Sequence, residues 1–192
     1  MSSLANVAAT DGRVVTLART SREMALALLY ETYRSRIYTF VLRLCGDADA
    51  ADDLTQETFL KAYRGMRDLA ADHRLLPWLY RIATNAAIDA ARRRKRIRFI
   101  PLLGLVGRNE EPETGDGHHG VGERDDIRRA LSELPLENAA ALLLHALEGY
   151  SYKEIADIQK VSLTAVRSRI ARARAAFRES YATMAAARSS SE

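Results

Sequence analysis

Residues 148–174 read EGYSYKEIADIQKVSLTAVRSRIARAR and predict two short helices with a turn between them. Ser151 and Glu154 form an S-x-x-E capping box, in which each side chain can satisfy an unpaired backbone N–H group at the start of a helix. Ser162 can cap a second helix after a turn at residues 159–161. Two helices joined in this way are typical of a helix-turn-helix, although this turn lacks the glycine often found there.

The second helix of this motif has two different faces. Val166, Ile170, Ala173 and Phe177 recur at helical spacing, which predicts that they point inward. A helix fits the major groove of DNA, where arginine can bind guanine through two hydrogen bonds and other arginines can contact phosphates. The alternative is an arginine-rich amphipathic helix that packs against or binds something else. The outer face, with the capping serine, consists of Ser162, Thr164, Arg167, Ser168, Arg169 and Arg172.

The composition of the chain excludes several classes of protein. The 192 residues include 29 Lys and Arg against 25 Asp and Glu. The longest purely aliphatic run, residues 139–144, is far shorter than the roughly 20 residues of a membrane span. Residues 1–20 lack the continuous apolar stretch of a secretory signal. The single cysteine, Cys45, excludes an internal disulfide and a multi-cysteine zinc site, which indicates a cytoplasmic protein.

Helical periodicity predicts an all-α chain of two small domains joined by a linker. Residues 1–20 are expected to form a loose, disordered tail, and residues 21–98 a first domain of three to four helices. Residues 124–184 are expected to form a second domain, which contains the helix-turn-helix. Residues 99–123 are rich in proline and glycine, as flexible linkers are. The small and polar residues 185–192 predict a second flexible tail.

The third predicted helix of the first domain begins at Pro77 and has a polar, basic face. Cations beside an aromatic ring suit single-stranded nucleic acid, because cations follow the backbone while an unstacked base can lie on a ring. Trp78 and Tyr80 can equally be core residues, and Asp89 with Arg93 can be an ordinary ion pair one turn apart. The candidate residues are His73, Arg74, Trp78, Arg81, Asn85, Asp89, Arg92, Arg93 and Arg96.

The second predicted helix carries a cluster of acids over its first turns. Residues 47–57 contain no base, whereas residues 92–98 and 167–178 form two basic zones. The acids can stabilise the positive end of the helix dipole, or they can form a docking face for a basic protein surface. One acidic and two basic zones favour more than one charged partner. The cluster consists of Asp52, Asp53, Gln56 and Glu57.

Together these segments resemble the extracytoplasmic-function (ECF) group of bacterial sigma factors, part of the sigma-70 superfamily. Residues 52–64, DDLTQETFLKAYR, are similar to the family's segment that grips the clamp coiled coil of RNA polymerase. Residues 77–93, PWLYRIATNAAIDAARR, are similar to its −10 element segment. Residues 150–156 and 166–174 are similar to its −35 helix-turn-helix. The resemblance covers about residues 21–182.

The resemblance implies a region 2 helical bundle, a region 4 helix-turn-helix domain and a role for each candidate set. The set around the third helix would capture and help to melt the −10 element, and the set on the last helix would read or grip the −35 element. Leu75 stands where the family usually has Phe, and Thr164-Ala165 stand where it usually has Gly-Thr. The promoter sequence therefore cannot be copied from relatives. The polymerase-binding set would be Asp52, Asp53, Gln56, Glu57 and Leu60.

The resemblance also implies the partners of the chain. These are the clamp coiled coil and flap of bacterial core RNA polymerase, promoter DNA and a cognate anti-sigma factor that could hold the protein at the membrane. Enzymatic activity, a cofactor and a metal site are not expected, because the four histidines are scattered and no phosphate loop is present. Two other hypotheses stay open. One is a helix-turn-helix regulator that acts without polymerase, and the other is a sigma mimic that sequesters an anti-sigma factor.

Overall fold

The computed structural model describes residues 2–70, 74–99 and 121–189, and all regular structure in these ranges is helical. This confirms the predicted all-α class. A short 3-10 helix, Met66–Asp68, precedes the fourth α-helix. No helix in these ranges is both long and apolar enough to cross a bilayer. The α-helices are α1 (Ser2–Thr20), α2 (Arg22–Cys45), α3 (Ala48–Gly65), α4 (Leu75–Phe99), α5 (Val121–Ser132), α6 (Leu136–Ala146), α7 (Tyr152–Gln159) and α8 (Leu163–Ser189).

Helix α1 occupies the segment that the sequence predicts to be a loose tail, so the prediction for residues 1–20 is wrong. Val14, Val15 and Ala18 are buried, and the helix packs against α2 and the 3-10 helix. Three apolar positions form too short a stripe to indicate a helix from sequence. Helices of this kind are stabilised by the surface on which they pack rather than by their own propensity.

Helices α2, α3 and α4 form the N-terminal bundle. The apolar residues of α2, spaced by three or four positions, are buried along its length. The Ser21 hydroxyl accepts the N–H of Met24 at 3.4 Å and caps the start of α2. Gly46 ends the helix with a φ of 73°, in the left-handed region where glycine has no steric cost.

Helices α5 to α8 form the C-terminal half. Helix α6 begins after Pro135, whose carbonyl accepts the N–H groups of Asn138 and Ala139 at 2.8 and 2.9 Å. Helix α8 continues to Ser189, so the tail predicted for residues 185–192 is wrong up to that residue. The alanine-rich end of the chain has the high intrinsic helix propensity that explains this extension.

The two halves pack against each other and share one contiguous hydrophobic core. Helix α2 contacts α5 and α6, and helix α4 contacts α6 and α7. The rings of Tyr80 and Tyr150 meet edge to face with their centroids 6.0 Å apart. Of the predicted linker, residues 99 and 121–123 are helical, and residues 100–120 lie outside the described part of the chain.

Candidate nucleic-acid and polymerase interfaces

The recognition helix of the predicted helix-turn-helix is the first part of α8. Val166, Ile170 and Ala173 are at most 1% exposed, which confirms their inward orientation. Thr164, Arg167 and Arg172 are exposed on the other face, and Ser168 and Arg169 are half-buried. The outer face can therefore approach a DNA groove while the inner face holds the helix on its domain.

The turn before α8 adopts the required geometry without a glycine. Lys160 has a φ of 53°, and its N–H donates to the carbonyl of Ala156 as the C-terminal cap of α7. Both bonds of the predicted capping box between Ser151 and Glu154 are present. The Ser162 hydroxyl accepts the N–H of Ala165 at 3.1 Å, which confirms it as the cap of α8.

Arg169 differs from the other arginines of the recognition helix. Its Nη1 donates to Oε1 of Gln159 at 2.7 Å, and Nε2 of Gln159 donates to the carbonyl of Glu137 at 3.1 Å. This chain of bonds ties α8 to α7 and α6. Arg169 therefore holds the two helices of the motif together in this structure, a role that the face pattern alone did not predict.

The candidate −10 face lies on α4. Asn85, Asp89, Arg92 and Arg93 are exposed along it, and Arg81 is half-buried. The structure thus presents polar and cationic side chains on one surface, as predicted. His73 and the Arg96 side chain lie outside the described residues.

Trp78 is a core residue in this structure. Only 8% of its surface is exposed, and the indole lies so close to Gly65 that a Cβ there would be 3.4 Å from Cζ2. Its remaining exposed edge borders a cleft of about 240 Å³ beside Arg74 and Pro77. The alternative of a buried tryptophan is therefore confirmed, and the ring does not offer an open face for stacking here.

An ion-pair network joins the candidate −10 face to α3. Glu57 accepts from Lys61 at 2.9 Å and from Arg93 at 3.5 Å, and Lys61 lies 3.9 Å from Asp89. The alternative pair of Asp89 with Arg93 is replaced by two pairs between α3 and α4, Glu57–Arg93 and Lys61–Asp89. Glu57 belongs to the candidate polymerase-binding set. Its carboxylate also orients Arg93, one of the candidate −10 residues.

The acidic face of α3 is open to a partner. Asp52, Asp53 and Gln56 are exposed, and Leu60 beside them is 57% exposed. Helix α3 begins at Ala48, so these residues lie beyond its first turn, where the effect of the helix dipole has largely decayed. Exposed acids that are followed on the same helix by an exposed leucine favour a protein-docking face over dipole stabilisation.

Three arginine–carboxylate pairs join the two halves of the chain. Each arginine belongs to the N-terminal bundle, and each acid belongs to the C-terminal half. No local sequence pattern indicates Arg36 or the three acids as contacts between domains, because these partners lie far apart in the chain. The pairs are Arg36–Glu148 at 2.9 Å, Arg74–Glu154 at 3.1 Å and Arg92–Glu137 at 3.9 Å.

The candidate −10 face and the helix-turn-helix border the same cleft. This cleft of about 390 Å³ has Arg81, Asn85 and Asp89 on one side and Gln159 and Arg169 on the other. It is far too small for a DNA duplex, whose major groove alone is about 12 Å wide. In this arrangement the helix-turn-helix therefore narrows access to part of the candidate −10 face, whereas Arg167 and Arg172 stay exposed.

Family models and relatives match most of the chain. The model described as "Sigma-70 region 2" matches residues 29–97, and "Sigma-70, region 4" matches residues 124–177. The ECF RNA polymerase sigma factor SigM of Bacillus subtilis is 32% identical, over 82% of this chain and 96% of SigM. The RNA polymerase sigma-H factor of Pseudomonas aeruginosa is 33% identical, over 87% of this chain and 91% of that protein.

The chain belongs to the ECF RNA polymerase sigma factors. This sigma factor is also 38% identical to the ECF sigma factor SigE of Mycolicibacterium smegmatis, over 79% of its own length and 59% of SigE. It therefore spans little more than half of that relative.

Solved structures share the fold of this sigma factor. CnrH, solved in complex with the cytosolic domain of CnrY, aligns with a TM-score of 0.63 and 23% identity over 88% of this chain and 96% of that chain. RpoE of Bartonella quintana, solved with the anti-sigma factor NepR, aligns with a TM-score of 0.62 and 24% identity over 79% and 92%. At these identities the likeness supports the region 2 and region 4 fold.

The Glu154 carboxylate joins the capping box of region 4 to Arg74 of region 2. The backbone N–H of Ser151, its hydroxyl and the guanidinium of Arg74 all hold the pKa of the Glu154 carboxyl below its usual range. The carboxylate is therefore charged at neutral pH while it serves both the cap and the pair between domains. Within the described residues, no cluster of His, Cys, Asp and Glu is arranged to hold a metal ion.

Proposed function

We propose that this sigma factor initiates transcription by docking on bacterial core RNA polymerase and delivering it to a two-element promoter. The single observation that supports this best is the exposed acidic face of α3, with the exposed Leu60 at its C-terminal end, on the same chain as an arginine-faced recognition helix. A plain helix-turn-helix regulator has no use for the acidic face. A sigma mimic has no use for the exposed arginines of α8.

Each of the two nucleic-acid surfaces would bind one element of the promoter. Arg167 and Arg172 are placed to read or grip the −35 duplex, because recognition helices contact base edges and phosphates from the major groove. Asn85, Asp89 and Arg92 on α4 are placed to hold the unwound −10 element, with His73, Arg74 and Arg96 as further candidates. The buried ring of Trp78 would then contribute through its edge or by supporting the loop before α4.

Binding energy alone can open the promoter in this scheme. Separating one base-pair step of DNA costs about 1.4 kcal/mol, and capture of an unstacked base returns roughly 1–3 kcal/mol. A few captured bases would therefore nucleate melting without ATP, and the sigma factor would need no enzymatic activity of its own. It would act in the cytoplasm, under the control of an anti-sigma factor.

Promoter binding would require the two halves to separate. The residues between Phe99 and Val121 can span about 70 Å when extended, and two turns of DNA measure about 70 Å. Exposed ion pairs contribute only about 0–1 kcal/mol each, so the pairs of Arg74 and Arg92 add little to the shared apolar contacts that separation must break. DNA phosphates would replace Glu154 and Glu137 as partners of these arginines.

Run-off transcription with sigma-free core polymerase on a pool of candidate promoters tests the proposed function. The native protein is expected to yield specific transcripts. A variant with Asp53→Ala, Gln56→Ala and Leu60→Ala is expected to lose at least tenfold in transcript and in core binding, because docking faces concentrate their energy in few residues. Glu57 is left intact because it pairs with Lys61 and Arg93.

Glu179→Ala serves as the matched control, since it removes an exposed acid of α8, in the other half of the chain. It is expected to behave like the native protein. Absence of both transcripts and core binding would reject the proposal. Retained binding to duplex DNA in that case would favour the plain regulator, and loss of DNA binding would favour the mimic.

Separation of the two halves is expected to be visible by fluorescence energy transfer. Arg67 and Glu179 are exposed on opposite halves and can be replaced by cysteine for labelling, with Cys45→Ser to remove the native thiol. Transfer should be high in the free protein and should fall when core polymerase and promoter are added. Unchanged transfer in complexes that transcribe would contradict the separation.

A further inference from the structure

Asp11 is a buried carboxylate that neither family model covers. Of the residues whose exposure the structure describes, it is the one charged residue in the buried class, at 9% exposed. It lies on α1, whereas the region 2 model begins at residue 29. Burial of an ionised carboxylate is unfavourable unless hydrogen bonds compensate for the lost water. The hydrogen-bond partners of Asp11 therefore indicate which part of the fold the buried carboxylate holds in place.

Two hydrogen bonds from distant elements converge on Asp11. The hydroxyl of Tyr33 on α2 donates to Oδ1, and the backbone N–H of Leu75 donates to Oδ2 at 3.2 Å. Leu75 is the first residue of α4. The first N–H groups of an α-helix have no acceptor within the helix, and a negative charge near them is favourable. Asp11 thus acts as the cap of α4 from another helix.

The start of α4 is the point at which the chain enters the candidate −10 face, directly after Arg74. Pro77 and Trp78 form its first turn, next to the cleft described above. The Leu75 side chain is fully buried, so side chain and backbone are both fixed at this residue. A shift of this turn would displace the cationic residue beside it.

We infer that Asp11 is a positioning residue for −10 recognition, which fixes the first turn of α4, next to Arg74, against α1 and α2. This inference rests on the proposed function. A buried carboxylate adds little to stability over an apolar residue of similar shape. The bond to Leu75 N–H instead specifies where α4 begins, and the −10 strand meets the protein next to this point.

The test compares discrimination at the −10 element in the holoenzyme. The probes are a fluorescent single-stranded oligonucleotide with the −10 sequence found by run-off transcription and the same strand with those bases substituted. An unfolded fraction of protein lowers both apparent affinities by the same factor, so the ratio of the two affinities is unaffected by a loss of stability. Asp11→Ala removes both hydrogen bonds and is expected to lower this ratio about tenfold. Core binding and binding to −35 duplex are expected to stay within twofold.

Two further variants separate positioning from general loosening of α1. Asp11→Asn keeps the shape and a carbonyl oxygen for the Leu75 N–H, so it is expected to retain most of the discrimination. Val14→Ala weakens the packing of a fully buried residue on the same helix and should lower stability without changing the ratio. A native ratio in Asp11→Ala, or an equal loss in Val14→Ala, would overturn the inference. Absence of discrimination in the native holoenzyme would instead reject the proposed function.

Discussion

Replacing Arg167 and Arg172 by alanine is expected to remove specific binding to the −35 duplex. Both side chains are exposed on the outer face of the recognition helix, and the buried residues on its inner face hold that helix in place. Each arginine that binds guanine through two hydrogen bonds contributes about 1–3 kcal/mol. The double variant should therefore bind the duplex at least 25-fold more weakly, an estimate from two such contacts at the lower end of that range.

Fluorescence anisotropy at several salt concentrations measures this loss of affinity and distinguishes phosphate contacts from base contacts. Loss of a phosphate contact lowers the slope of log affinity against log salt by about one, whereas loss of a base contact relaxes sequence preference. Arg178→Ala is the matched control, because it removes an exposed arginine further along α8. An equal loss in the control would contradict specific reading by the recognition helix and would indicate general electrostatic attraction.

Ile155→Ala is expected to give the largest loss of stability in the helix-turn-helix. Ile155 is fully buried, and α7 buries only it and Ile158. Truncation of a buried isoleucine to alanine costs about 2–5 kcal/mol, because it loses apolar contacts and leaves a cavity. The free energy of unfolding, measured by urea titration with circular dichroism, should fall by that amount.

Leu163→Ala provides the comparison, since Leu163 is 39% exposed and should cost far less. The shared core of the two halves predicts that Ile155→Ala shifts a single cooperative transition. A second transition, left in place by Ile155→Ala, would show instead that the halves unfold independently. Loss of −35 binding in this variant would follow from the displaced recognition helix.

Most local structure could be predicted from the sequence because its causes are local. The capping box at Ser151 and Glu154, the cap at Ser162 and the glycine stop at Gly46 each involve neighbouring residues, and all are present. The inward stripe of α8 follows from helical spacing in the same way. Even the turn without glycine needed only one residue, Lys160, that tolerates a positive φ.

The tertiary structure decided what no local pattern contained. Helix α1 exists because a bundle that is built from later residues gives Val14 and Ala18 a surface to pack on. The burial of Trp78 and the pairing of Arg93 with Glu57 likewise depend on how α3 and α4 pack.

By itself, the sequence determined the helices from α2 onward, most of their caps, the family and the types of residue on each face. The tertiary structure decided which of those residues are free to meet a partner. Arg74 is joined to Glu154 across 80 residues, Asp11 to Leu75 across 64, and Arg36 to Glu148 across 112. Contacts at such separations depend on the packing of whole helices, and helical periodicity describes only one helix at a time.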